Sequence, residues 1–268
     1  MSDIFNLLLF QNTLRTATPV VLCALGCLMT DQVGIMNIGV DGMMLMGAFF
    51  AVLGSYLCGS WAMGLVFALG MGVLLGLFYY VFVIKFGSDE FIIGVALNIL
   101  AGGLTVFLLR TIFQVKGSFS GPGIVPLPTL RLPFLEGVPV LRLLSGNTLL
   151  VYVSWVLVAL CWVMLYKTPL GFHLRASGEA PEALRASGKS PERMKLLASV
   201  LCGALATLSG AHLSLGYLTM FSENMSASRG FVAVACVIFG GSNPPRVFLA
   251  ALMFGFIDAL GLRLQPLR

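Results

Sequence analysis

The densest group of chemically capable residues lies where the chain is least suited to a regular helix. The stretch Gly34-Ile35-Met36-Asn37-Ile38-Gly39-Val40-Asp41-Gly42 sets an amide and a carboxylate among three glycines, between two apolar runs. Glycine loosens the backbone and frees its polar groups for a ligand or a closely packed neighbour. Asn37 and Asp41 are four apart and would share a face on a helix. One reading is a broken helix at a solute route or gate, because polar groups inside a membrane mark function. The other is a helix start, with Asn37 capping and Asp41 on the helix dipole. The two readings are compatible and both stay open. Asn98 stands alone in an apolar run, placed either to touch a solute or to hydrogen-bond a neighbouring helix. His212, in a Ser/Gly/Ala-rich stretch, reads as packing, and Asp258, near the end of its run, as a cap or a snorkelling group. Residues 221–230 carry Asn224, Ser226, Ser228 and Arg229, a polar turn that reads as a surface loop or the mouth of a pathway.

Other chemistry finds no support. There is no Ser/His/Asp set, no HExxH and no plausible acid pair, so no catalytic residue is assigned. Six cysteines occur without a CxxC pair and beside only two histidines, so neither metal nor cofactor is expected. Gly188-Lys189-Ser190 imitates the tail of a phosphate-binding loop, but Ala183 stands where its first glycine belongs and no strand precedes it. The chain therefore shows no ATPase of its own. A net charge of +5 would suit nucleic acid, but basic loops beside a membrane explain it better, and no nucleic-acid partner is expected.

The elements that position these residues follow from charge spacing. Hydrophobic residues make up 58% of the chain and charged ones 10%, against about 25% charge in soluble domains. No charge falls between Asp41 and Lys85, Glu90 and Arg110, Arg142 and Lys167, or Lys195 and Glu223. A helix needs roughly 20 apolar residues to cross a bilayer. The first gap holds two spans and each of the others one. The apolar run after Arg15 lacks a small-x-small cleavage site and is followed by further spans, so it reads as the first membrane helix. Spans are predicted near 17–30, 40–58, 61–86, 89–110, 147–166, 195–217, 230–242 and 245–262: an all-α, polytopic transmembrane bundle of about eight helices, embedded in lipid. The last two are separated by a Gly240-Gly241-Ser242-Asn243-Pro244-Pro245 break. Gly72/Gly76 and Gly210/Ser214 have the four-residue spacing of small residues that lets helices approach in lipid.

The stretch 167–195 holds six of the sixteen basic residues with three acids, which places it in the cytoplasm. The loop 111–146, with Gly117, Gly121, Gly123, Pro126, Pro128, Pro133 and Pro139, then lies outside and irregular. Counting back puts the N-terminus outside. Within 167–195, residues 178–188 read as a short helix, with Pro181 in the first turn and Gly188 at its C-terminal cap. Ala183 and Ala186 leave a low face between Glu182 and Arg185, suited to a groove on another protein; a solvated helical turn is the plainer alternative.

Three ordered motifs carry a resemblance. GIMNIGVDGMMLMGAFF, GFHLRASGEAPEALRASGKSPERMKLLASVLCGALATLSGAHLSL and FSENMSASRGFVAVACVIFGGSNPPRVFLAALMFGFIDALGLRLQ are similar to conserved regions of permeases of branched-chain amino acid, simple-sugar and nucleoside ABC importers. The likeness runs from about residue 14 to the end, and NMSASRGF with IFGGSNP is closest to the nucleoside, guanosine-type branch. The resemblance implies one permease domain over 1–268 in the bacterial cytoplasmic (inner) membrane, translocating a small polar solute and making no covalent chemistry. It implies a second permease subunit, cytoplasmic ATP-binding subunits and an extracytoplasmic substrate-binding lipoprotein. It places Asn37, Asp41 and Asn98 near the solute path, and Glu179, Pro181, Glu182, Ala183, Arg185, Ala186 and Gly188 against the ATPase. Asp41 stands where the family commonly has Glu, one methylene longer. Family members usually continue past Leu264-Gln265 with another apolar span, so this chain reads as shortened there. Sugar, amino acid and riboflavin-like solutes are the alternatives, and a self-contained secondary transporter or channel is the rival class, one that usually carries inverted repeats and buried ionisable groups.

Overall fold

The structure, a computed structural model, describes residues 7–130 and 146–264. Pro133, Pro139 and the chain beyond Leu264 lie outside the described residues. The long helices are α1 (Leu7–Gln32), α2 (Val40–Cys58), α3 (Trp61–Tyr80, prolonged by a wide π-type turn Val81–Lys85), α4 (Glu90–Ile112) and α5 (Leu149–Lys167). Two short helices follow, α6 (Pro169–Glu179) and α7 (Pro181–Ala186). Then come α8 (Pro191–Ala211, prolonged by a π-type turn His212–Leu218), α9 (Arg229–Gly240) and α10 (Pro244–Leu264). Among the described residues, two-residue strands β1 (Ser118–Phe119), β2 (Thr129–Leu130), β3 (Asn147–Thr148) and β4 (Phe221–Ser222) form the antiparallel pairs β1–β4 and β2–β3.

Among the described residues seven helices are long and apolar enough to cross a membrane. The eighth expected span is α9, which has 12 residues. At 1.5 Å per residue it reaches about 18 Å, short of the roughly 30 Å hydrocarbon core. Gly241 and Ser242, both at positive φ (56° and 55°), end it and turn the chain into α10. The first helix, by contrast, runs farther than its apolar stretch suggested. It continues through Arg15, whose guanidinium donates to Gly146 O at 2.9 Å and Asn147 Oδ1 at 3.4 Å.

The bundle has a buried inner set, α1, α2 and most of α8, and an outer set, α3, α4, α5 and α10. The outer helices α3, α4 and α5 have a mean hydropathy of 2.3, against 1.4 for α1 and 1.5 for α2. Lipid is as apolar as a core, so helices facing it can be hydrophobic all round, while inner helices trade apolar bulk for small and polar residues that let backbones meet. Gly72 and Gly76 of α3 lie against α8: a Cβ on Gly76 would sit 2.5 Å from Ser199 O, and one on Gly72 2.6 Å from Gly203 O. Gly210 of α8 abuts Met44 and Ala48 of α2. Both glycines of the first small-residue pair, and the glycine of the second, thus sit at real helix contacts.

The two ends of the bundle differ. At one end α6 and α7 lie beside the 33–39 segment and the π-type turn of α3. At the other, Tyr56, Phe113 and Phe119 form an aromatic cluster, with Phe113 stacked on Phe119 at 3.9 Å and Phe49 edge-on to Phe221 at 5.2 Å.

Candidate functional site

Asn37, Asp41 and Asn98 come together around the broken 33–39 segment, each held by hydrogen bonds. Asn37 is buried; its Oδ1 accepts from Gly39 N at 2.9 Å, closing a local turn, and its Nδ2 reaches Cys202 Sγ of α8 at 3.4 Å. That turn stands just before α2, where no side chain of Gly39 can cap, so Asn37 sets the entry of the helix from outside it. Asn98 of α4 spans the same break. Its Oδ1 accepts from Gly42 N at 2.7 Å, and its Nδ2 donates to Ile38 O at 3.1 Å. These are backbone groups that the missing helical turn leaves unpaired. Gly39 and Gly94 allow the approach: a Cβ on Gly94 would lie 2.9 Å from Gly39 N.

Asp41 looks the other way. Its Oδ1 accepts from Gly230 N at 3.0 Å and its Oδ2 from Ser226 Oγ at 3.1 Å. It is the carboxylate at the start of α9, supplied by α2 rather than by α9 itself. A negative group there satisfies an orphan N–H and meets the positive helix end. Gly230 is required for the contact, since a Cβ on it would lie 2.6 Å from Asp41 N. Asn37 thus closes the turn before α2, while Asp41, in the first turn of α2, turns its carboxylate to the start of α9 rather than capping its own helix.

The segment 219–228 leading to α9 is buried at some residues and exposed at others, among them Asn224, Ala227 and Ser228. Phe221 and Ser226 are fully buried, and the chain descends from the β1–β4 pair to Asp41. Asn224, Ala227 and Ser228 adopt positive φ of 55°, 47° and 63°. The turns that let it descend are closed by backbone bonds within the segment, such as Ala227 N to Asn224 O at 3.1 Å and Arg229 N to Ser226 O at 3.0 Å. Non-helical backbone at this depth persists only where protein covers it or water reaches it. Arg229, first in α9, pairs with Asp258 of α10 at 3.4 Å. His212 is buried, with Nδ1 3.5 Å from the Thr148 hydroxyl, which fits the packing expectation.

Against residues 32–34, at the start of the 33–39 break, stands the charged stretch. The helix expected over 178–188 is shorter: α7 starts at Pro181 and ends at Ala186, with Gly188 at φ 79° just past it, while Gly178 and Glu179 close α6. Six residues are too few to hold a helix alone, and Leu184, 3% exposed, is its anchor. Glu179, Glu182, Ala183, Arg185, Ala186 and Gly188 are all exposed, and Pro181 is half-buried. Arg185 binds Glu182 at 2.8 Å and Glu192 of α8 at 2.6 Å. The Glu192 bond, then Glu182, raises the Arg185 pKa above its ordinary value, so the pair stays ionised across the physiological range. Sequence reasoning left α6 as loop. Its C-terminal Gly178 packs on the break itself: a Cβ there would lie 2.7 Å from Gln32 O and 2.9 Å from Gly34 N. Only a glycine at 178 hinted at this, and one glycine among 31 carries no address. Between α6 and α7 opens a groove of about 440 Å³ walled by Phe172, Arg175, Ala183 and Leu184.

The bundle thus combines a break before α2, a 12-residue apolar helix α9 and an exposed short helix α7. Residues 9–266 match the family described as branched-chain amino acid transport system / permease component, and the chain belongs to it. It is the permease subunit of an ABC importer, a multi-pass protein of the bacterial inner membrane and not itself an enzyme, and the family implies ATP-binding and substrate-binding partners. Among its relatives, a putative glucose ABC transporter permease of Haloferax volcanii is 32% identical, over 97% of this chain and 78% of that one. A guanosine ABC transporter permease of Bacillus subtilis is 31% identical, over 93% and 80%. A nucleoside ABC transporter permease of Lactococcus lactis is 28% identical, over 95% and 82%. No solved structure matches the chain.

Proposed function

We propose that this permease carries nucleosides of the guanosine type, beside a second permease subunit and fed by an extracytoplasmic substrate-binding lipoprotein. The observation that carries the solute is the similarity to guanosine and nucleoside permeases over more than nine-tenths of the chain, in line with the NMSASRGF and IFGGSNP motifs. The whole chain acts as one permease domain, with 167–195 as its cytoplasmic coupling loop. Glu179, Pro181, Glu182, Ala183, Arg185, Ala186 and Gly188 meet the ATP-binding subunit, α7 and the α6–α7 groove forming the seat. Asn37, Asp41 and Asn98 shape the solute path by fixing its broken helix.

The contacts support the following mechanism. ATP-driven closure of the partner displaces α7. Arg185 passes the movement to α8 through Glu192, and Gly178 passes it to residues 32–34. That segment ends at Asn37 and Asp41, and Asp41 holds the start of α9. A shift at α7 therefore reaches the half-helix without crossing any lipid-facing surface.

Cells producing the chain with its ATP-binding partner should accumulate tritiated guanosine, with unlabelled nucleosides competing and glucose not. Competition by glucose alone would move the chain to the sugar reading, which the 32% identity to a putative glucose permease favours. Uptake that continues with a hydrolysis-deficient partner would remove the ATP-driven mechanism.

A further inference from the structure

A pocket of about 330 Å³ opens between α1, α9 and α10, within the roughly 300–1,000 Å³ typical of small-molecule sites. Its polar wall is Arg229 and Asp258. Its other walls include Thr16, Val20, Phe254 and Ile257. None of these residues takes part in the hydrogen bonds of Asn37, Asp41 and Asn98, yet the pocket adjoins the first turn of α9, whose opposite side Asp41 holds.

Depth makes the pair informative. Arg229 opens α9, whose last residue is Gly240, and Asp258 lies well along α10 from Pro244. At 1.5 Å per residue both stand about 17–21 Å from the turn joining the two helices, along helices whose other side chains are mostly apolar. Their side chains are 26% and 45% exposed. A half-exposed carboxylate at this depth is not stable against lipid; it faces water or protein. The pair is also loosely made, with Arg229 Nη2 3.4 Å from Asp258 Oδ2 and Nη1 3.5 Å from Met225 O. Thr16 is already satisfied by donating to Gly255 O at 2.9 Å, so the free polar capacity lies in the charged pair.

We propose that this pocket is a binding station for a purine nucleoside, with Asp258 accepting from the N–H groups of the base edge, Arg229 donating to its carbonyl and Phe254 lying along the ring. The inference rests on the nucleoside reading above. A guanine edge presents two adjacent N–H donors, which match one carboxylate in a two-point contact. Hypoxanthine lacks the exocyclic amine and keeps one of them. The pocket therefore reads guanosine over inosine.

Two measurements on the intact transporter test this. In a Cys58→Ser background, Ile257→Cys should react with a charged, membrane-impermeant thiosulfonate, and guanosine should slow the reaction. No reaction would mean that lipid or the second permease covers the pocket, and the proposal fails. In uptake assays, Asp258→Asn should raise the KM for guanosine about tenfold and inosine much less, with the maximal rate kept. The exchange Arg229→Asp/Asp258→Arg should not restore the KM. A restored KM would make the pair a structural tie and overturn the proposal, as would an unchanged KM in Asp258→Asn. A wild-type transporter that carries no nucleoside refutes the solute assignment itself, before any variant is made. With nucleoside uptake intact, a negative result at Asp258 or position 257 removes only the pocket.

Discussion

Asp41 shows how a single carboxylate joins two helices that the sequence keeps 189 positions apart. Removing it orphans Gly230 N–H and the Ser226 hydroxyl, at about 1–3 kcal/mol for each buried group left unpaired. Asp41→Ala should therefore lower the melting temperature in detergent and abolish uptake. Asp41→Asn, which keeps one acceptor oxygen, should fall between it and the wild type. An Asp41→Ala protein that melts with the wild type would show that the contact is not holding α9. The sequence made Asn37, Asp41 and Asn98 conspicuous, because polar residues among apolar ones are easy to see. Their partners were not visible. Gly230, Ser226, Ile38 O and Gly42 N are a glycine, a serine and two backbone groups, indistinguishable from many others until the fold brings them together.

At the scale of elements, gaps in charge revealed the spans well, since lipid excludes charge whatever the topology. They failed where geometry rather than hydropathy decides. The half-helix α9 is as apolar as a span but too short, and its length is set by backbone turns at 241–242 that no periodicity announces. Likewise α6, whose Gly178 touches the break, has the composition of a loop. Close packing gives a sharper test than hydropathy. Gly76→Ala forces a methyl within 2.5 Å of Ser199 O, whereas Gly70, on the same helix, has nothing within 4 Å. Overpacking costs about 1–3 kcal/mol, so Gly76→Ala should destabilise the protein in a thermal-shift assay while Gly70→Ala should not. Equal melting of the two variants would contradict the α3–α8 contact. Arg185→Ala should leave protein level and melting unchanged, because the pair is exposed, yet uncouple nucleotide hydrolysis by the partner from uptake. Normal coupling in that variant would take Arg185 out of the transmission route.

For the whole molecule the decisive arrangement is that α7 and Cys58 sit at opposite ends of the bundle. Ser187→Cys should react with an impermeant thiol reagent only from the cytoplasmic side, and native Cys58, which is exposed, only from the outer side. The reverse pattern would invert the bundle and detach the ATPase from its seat. The contrast between inner and outer helices has a consequence for biogenesis. The helices at the heart of the bundle, α1 and α2, are the ones whose hydropathy gives them the weakest independent claim on the bilayer, while α3, α4 and α5 partition into it readily. Two segments that leave the ribosome before α3, α4 and α5 are thus poorer at lodging by themselves than those three, and they depend on later ones to shelter their glycines and amides. Synthesis arrested after α2 should yield a hairpin that slips back out of the membrane and is degraded, and release through α8 should make its insertion permanent.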